Sequence, residues 1–323
     1  MADDATPLNA REQSQRRGRE QLRRQLGPLI CAWLEDPEVI EIMLNADGYL
    51  WVERLGQGMV RECAMPASQA EAAMATIAAY LNTTITAQNP ILECELPLGG
   101  QRFEGVIPPI ASAPTFAIRL KATKVFTLAE YVESGIMTQA QCAAIETAIV
   151  EKQNILVVGG TGSGKTTLTN AILHGIARLT PDDRLVILED TNELQCQAEN
   201  KTILRSNASV DLQKLLKVTM RMRPDRIIVG EVRGGEALAL LKAWNTGHPG
   251  GAATVHANDA RSGLTRIESL VAEARPTPAQ DEIAAAINLV VVIGKTPKGR
   301  RVRELRRVIK WNGRDYETEV IEN

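Results

Sequence analysis

"NILVVGGTGSGKTTL", residues 154–168, decides the fold. The apolar run "ILVV" ends abruptly in glycines, which reads as a short buried strand. "KTTLTNAILHGIARL" (165–179) then repeats apolar residues at helical spacing. Between them "GGTGSGKT" (159–166) fits GxxxxGK[ST] at every required position, in the strand-to-helix setting that gives this motif its meaning. The glycines Gly159, Gly160, Gly162 and Gly164 let the backbone fold tightly enough to aim N–H groups at phosphate oxygens. The helix starting near Lys165 adds its positive dipole end. Lys165 is expected to reach the β- and γ-phosphates of ATP, and the Thr166 hydroxyl to ligate Mg2+. Thr161, Ser163 and Thr167 complete the expected cradle. A glycine-rich turn with no ligand would explain neither the lysine nor the threonine.

Downstream the same alternation continues. "RLVILED" (184–190), "RIIVGEV" (226–232) and "GAATVHA" (251–257) read as strands. "LQKLLKVTMRM" (212–222), "EALALLKAWNTG" (236–247) and "RSGLTRIESLVAEA" (261–274) read as helices. This rhythm argues an α/β fold with a parallel sheet covered on both faces. "NLVVVIGKTPKGRRVRELRRVIKW" looks like a closing hairpin.

A bound triphosphate needs acids near the carboxyl edge of such a sheet. Many nucleotide-hydrolysing motors place an aspartate just before a glutamate at the end of a strand, but here that position is Gly230, followed by Glu231. "VILED" supplies Glu189 and Asp190 from another strand. The usual paired role is therefore expected to be divided, with Glu189 orienting the water shell of Mg2+ and Glu231 polarising the attacking water. Asp190 and Glu193 read equally well as loop caps. His256 ends a further strand, where an imidazole could sense the γ-phosphate.

Upstream the pattern changes. "VIEIMLNADGYLWVER" (39–54) places Asp47-Gly48 between β-rich runs, a hairpin signal. "QAEAAMATIAAYL" (69–81) is helical, and "RFEGVIPPIASAPTFAIRLK" (102–121) suggests two more strands. Residues 1–27 read as a basic polar arm, 28–123 as a small α+β domain, 124–135 as a linker and 136–323 as the motor domain. Only Leu22 and Leu26 could form an apolar stripe on the arm.

Composition is that of a globular protein, with 24% charged and 44% hydrophobic residues and a net charge of −2. Nothing here suggests a nucleic-acid-binding polycation. The five scattered cysteines include no CxxC pair and suit a reducing compartment. "MADDATPLNAREQ" lacks a secretory h-region, and the run from Ile283 to Ile293 is too short to span a bilayer. A soluble cytoplasmic protein is expected.

The ordered set of "GGTGSGKTT", "ILEDTNEL", "RPDRIIVGEVRGGEA" and "GHPGGAATVHAN" resembles the motifs of the secretion ATPase superfamily, the motors of type II and type IV secretion. "DPEVIEIMLNADGYLWVE" and "LPLGGQRFEGVIPP" resemble the small domain that precedes the motor. In that family a glycine before the Walker B glutamate is normal. The absence of a four-cysteine module places the chain nearest the type IV secretion and conjugation branch. The resemblance implies a RecA-like P-loop motor domain with a smaller α+β amino-terminal domain, and Arg102 and Arg119 brought to the triphosphate. It also implies a homohexameric ring at the cytoplasmic face of an inner-membrane channel. The segment 295–314 carries nine Lys/Arg against Glu304 alone and could contact an anionic membrane, or be a solvated hairpin face.

Other readings stay open. A helicase-like DNA motor would want base-stacking aromatics, which make up only 3% of the chain. No sequence-specific nucleic-acid binding is expected. A non-hydrolysing, nucleotide-gated scaffold would tolerate loss of Glu231.

Overall fold

Two burial rhythms divide the molecule. The computed structural model describes residues 10–121, 125–207 and 209–321. The chain separates into two compact units, Met1–Thr123 and Lys124–Asn323.

In the first unit apolar residues alternate along the central strands, so each buries one face. Helix α1 (Ala10–Glu35) leads into β1 (Val39–Leu44), β2 (Tyr49–Arg54) and β3 (Met59–Ala64). Then come α2 (Ala67–Tyr80), β4 (Ile91–Glu95), β5 (Arg102–Val106) and β6 (Thr115–Arg119). The strands pair in the order β3-β2-β1-β6-β5-β4, antiparallel at each junction. Gly48 takes φ +79° in the β1–β2 turn, where a side chain would be strained. Ile42, Val52, Phe103 and Ile118 share one core with Met74 and Ile77 of α2.

The segment read from sequence as a basic arm enters that core. Leu22 and Leu26 lie one helical turn apart on α1 and are 1% and 2% exposed. Gly27, at φ +85°, and Pro28 kink the helix immediately afterwards. Two leucines among many arginines made too weak a stripe to show packing in advance.

In the second unit the central strands are buried along their whole length and mostly apolar, the signature of strands covered on both faces. Its elements are α3 (Leu128–Glu133), α4 (Gln139–Val150), β7 (Ile155–Val158), α5 (Lys165–Leu179), β8 (Leu185–Glu189) and β9 (Lys201–Arg205). They continue with α6 (Leu212–Thr219), β10 (Arg226–Val229), α7 (Glu236–Asn245), β11 (Ala252–Val255), α8 (Ala260–Ala274) and α9 (Gln280–Ala286). The chain closes with β12 (Leu289–Thr296), β13 (Gly299–Trp311) and β14 (Tyr316–Val320). The sheet runs β14-β13-β12-β7-β11-β10-β8-β9. It is parallel from β12 to β9, with β13 and β14 added antiparallel. Along β7, Leu156 and Val158 join one apolar layer, Ile155 and Val157 the other. This is the RecA-like α/β architecture, and the unit that precedes it in the chain is a smaller α+β one.

The described part of the stretch read as a linker carries α3. Thr127 and Glu130 form a reciprocal capping box there, and Leu128 and Tyr131 are buried. A helix this short shows little periodicity.

The amino-terminal ends of the strands are tied by one buried charge. Arg226 opens β10 yet is 0% exposed. It donates to Asp183 Oδ2 at 2.7 Å, Gly250 O at 2.9 Å and Ile149 O at 2.8 Å. Lys152 holds the other Asp183 oxygen at 2.7 Å. Burial pushes the Asp183 carboxyl up, but the hydrogen bonds from Lys152 and Arg226 outweigh it and hold the group below its usual value of 3.8. A carboxyl lowered by folding stabilises the fold above its unfolded pKa, and that contribution is lost as pH falls through the folded value. Asp183→Ala strands a buried guanidinium and is expected to cost about 3–5 kcal/mol, read from denaturant unfolding near neutral pH. A loss below about 1 kcal/mol would show that the carbonyls alone satisfy Arg226.

Candidate active site

Strands β7, β11, β10 and β8 are neighbours in that order and parallel, so their carboxyl ends open on one edge. The phosphate loop follows β7, His256 follows β11, Glu231 lies just beyond β10, and Glu189 ends β8. Residues far apart in sequence thereby meet.

The loop is built as its glycines demand. A β-carbon on Gly159 would stand 2.4 Å from Ile293 O and 2.5 Å from Ser163 Oγ. Gly164 caps α5 at φ +100°, with no side chain bonded to the first N–H groups of the helix. Uncapped helix-start donors of this kind suit an anion. Ser163 Oγ is buried without a hydrogen-bond partner. Such an orphan suits a phosphate oxygen, so the loop fits the group that the motif implies.

Lys165 is only 8% exposed, and a buried ammonium must find acceptors. It donates to Gly159 O at 2.9 Å and Gly160 O at 3.0 Å. Its Nζ also lies 3.3 Å from His256 Nδ1 and 3.4 Å from Nε2. His256 Nε2 is 2.9 Å from Glu231 Oε1. With Nε2 donating to the carboxylate, Nδ1 is left as the acceptor for Lys165. Arg233 Nη2 donates to the second oxygen, Glu231 Oε2, at 2.7 Å. Burial pushes the Glu231 carboxyl up, but the hydrogen bond and charge of Arg233, backed by His256 and Lys165, win and hold it below the ordinary range. Lys165, His256 and Glu231, singled out from sequence, thus form one chain of contacts. Arg233 was overlooked, although it stands two residues beyond the acid.

At the β8 end it is Glu193, and not Glu189, that touches the loop threonine. Glu189 is 2% exposed, and both its oxygens are engaged. Oε2 accepts from Glu193 N at 3.0 Å and Leu194 N at 2.9 Å, and Oε1 pairs with Arg205 at 3.1 Å. It pins the turn that follows β8. The acid on the loop threonine is Glu193, whose Oε2 accepts from Thr166 Oγ1 at 3.2 Å. Asp190 accepts from Ser206. The sequence signal for Glu193 lay inside "ILEDTNEL", where spacing alone does not tell which acid turns toward the loop. Gly230 also finds its reason. A β-carbon there would sit 3.3 Å from Glu189 Cβ, tighter than ordinary packing, so an aspartate would crowd the buried glutamate.

Arg102 and Arg119 lie in the first unit, directly opposite each other across β5 and β6. Arg102 also reaches Glu93 at 3.3 Å.

Comparison with known proteins agrees with this geometry. A family profile described as "Type II/IV secretion system protein" matches residues 34–306. The probable conjugal transfer protein TrbB of Sinorhizobium fredii is 51% identical over 298 residues, covering 92% of each chain. The type IV secretion system protein VirB11 of Bartonella quintana is 29% identical over 286 residues, 76% of this chain and 79% of that one. Among solved structures, the pilus retraction motor PilT with bound ADP superposes with a TM-score of 0.61 at 17% identity. It covers 91% of this chain and 82% of that one, a likeness of fold.

The two glutamates are separable by experiment. Glu189→Ala leaves backbone N–H groups and a buried cavity unsatisfied and should lower unfolding stability by about 2–3 kcal/mol. Glu193→Gln should leave unfolding within about 0.5 kcal/mol of wild type while raising the Mg2+ concentration needed for half-maximal turnover. The reverse pattern would return the metal role to Glu189.

Proposed function

The chain belongs to the type II/IV secretion system protein family, and from that membership we propose that it hydrolyses Mg-ATP as the motor of a conjugative type IV transfer apparatus. The observation that carries the reading is the contact chain Lys165–His256–Glu231 at the carboxyl edge of a RecA-like sheet. A structural histidine would not need to bridge a phosphate-loop lysine and a strand-end acid.

Backbone N–H groups from Gly159 to Thr167 would wrap the phosphates, and Lys165 would exchange the carbonyls of its own loop for their oxygens. Thr166 and Glu193 would hold Mg2+, which would supply positive charge beside the phosphates. Among the described residues no group of three or more His, Cys, Asp or Glu gathers as a metal cage. Glu189 would serve as a positioning residue, holding the turn that presents Glu193. Glu231 is ionised at neutral pH and would orient the attacking water. Both of its oxygens are already engaged, so it acts once His256 turns with Lys165 toward the γ-phosphate.

Arg102 and Arg119 would add charge stabilisation at the transferring phosphoryl group, an effect of about 10³–10⁵ in rate where arginine plays this part. The resemblance supports a homohexameric ring at the cytoplasmic face of the inner membrane, working against channel components to power pilus assembly or substrate transfer. No helix among the described residues is long and apolar enough to cross a membrane, in keeping with a peripheral placement.

Lys165→Ala is expected to cut steady-state phosphate release by about a hundredfold or more, whereas turnover within threefold of wild type would count against the assignment. Glu231→Gln should retain ATP binding while turnover falls by roughly 10²–10⁴, and unchanged turnover would favour a nucleotide-gated scaffold.

Arg233 lowers the Glu231 pKa, so its removal raises it. In Arg233→Gln the acid limb of the kcat/KM profile should therefore move to higher pH, toward the ordinary glutamate value of about 4.3. An unmoved limb would assign that limb to another group.

A further inference from the structure

The basic segment 295–314 splits into two parts. Arg306, Arg307 and Lys310 are paired with Glu304, Glu319 and Glu317 at 3.2, 3.2 and 3.5 Å. These three charges are balanced by acids of the same sheet. Lys295 and Arg300 stand outside those ion pairs, at the tip of the β12–β13 hairpin.

They are direct Cα partners across the antiparallel pair. Like charges placed directly opposite on one face repel and normally destabilise a hairpin. Both side chains also lie against the phosphate loop. Lys295 Nζ is 3.4 Å from the place a β-carbon on Gly162 would take, and Arg300 Cδ is 3.2 Å from the same point on Gly164. Arg300 Nη2 approaches Gly162 O at 3.4 Å, and its Nε is buried without a hydrogen-bond partner. Two facing cations and an orphaned guanidinium nitrogen beside a phosphate loop are costly unless an anion answers them.

Topology says which part of the nucleotide they face. The loop strand β7 has β11 on one side and β12 on the other. Thr166, Glu193, His256 and Glu231 draw the terminal phosphate toward β11, β10 and β8. The phosphates nearer the nucleoside then fall toward β12. We propose that Arg300, with Lys295 beside it, binds the α- and β-phosphates of the nucleotide from the β12 side of the loop. This rests on the nucleotide-binding reading above and adds to it a second cationic wall, supplied by the same chain.

A contact to the α- and β-phosphates is made equally by ADP and ATP, and strengthens binding without favouring the transition state. Titration of the full-length chain with Mg-ADP and with a slowly hydrolysed Mg-ATP analogue tests it. Arg300→Ala should weaken both by about the same factor, roughly tenfold, with the kinetic loss falling on KM rather than kcat. Arg300→Lys should recover part of the affinity, because it restores the charge without the fork. The proposal is overturned if Arg300→Ala binds ADP within about twofold of wild type, or if only the triphosphate is affected. It is also overturned if the affinity loss tracks a lower nucleotide-free melting temperature that Arg300→Lys fails to reverse, which would make Arg300 a strut of the loop. A wild-type chain that binds neither nucleotide would overturn the parent reading, and this one with it, so the two failures are distinct.

Discussion

An ammonium group removed from water must be given acceptors, and the carboxyl edge of the sheet is organised around that demand at Lys165. Two loop carbonyls and the His256 ring surround its Nζ. The imidazole passes the interaction on to Glu231, and Arg233 closes the chain from the far side. Each member is held by a partner it would have to leave in order to act on a nucleotide. The Lys165 ammonium is thus answered by protein groups, and on the proposed function it would exchange partners, while Ser163 Oγ and Arg300 Nε beside it are buried without one.

The same edge explains how a motor can dispense with the usual aspartate before its strand-end glutamate. Strands β8 and β10 are adjacent, and close packing at Gly230 leaves room for a buried carboxylate, Glu189, to fasten the following turn. That turn delivers Glu193 to the loop threonine. One acid therefore fastens the turn and another meets the loop threonine, a division that neighbouring strands permit.

Much of this could be read from the residues. The phosphate loop sits between the anticipated strand and helix because continuous apolar burial and helical periodicity are strong local signals, and α5 spans the same residues that the pattern marked. His256 and Glu231 were legible because an acid or imidazole at the carboxyl end of an apolar strand has few other reasons to be there. Less legible were features fixed by tertiary contact. The packing of Leu22 and Leu26 depends on a partner helix distant in sequence. Which of Glu189 and Glu193 faces the loop depends on a turn whose backbone N–H groups capture one carboxylate. The facing of Lys295 and Arg300 depends on hairpin register, and a run of basic residues says nothing about register.

The buried guanidinium of Arg226 sits at the other end of the strands, where it clasps the segments entering β8, β11 and β7. That clasp lies at the pole of the sheet opposite the phosphate loop. Side chains of the phosphate loop can therefore be exchanged without touching the clasp.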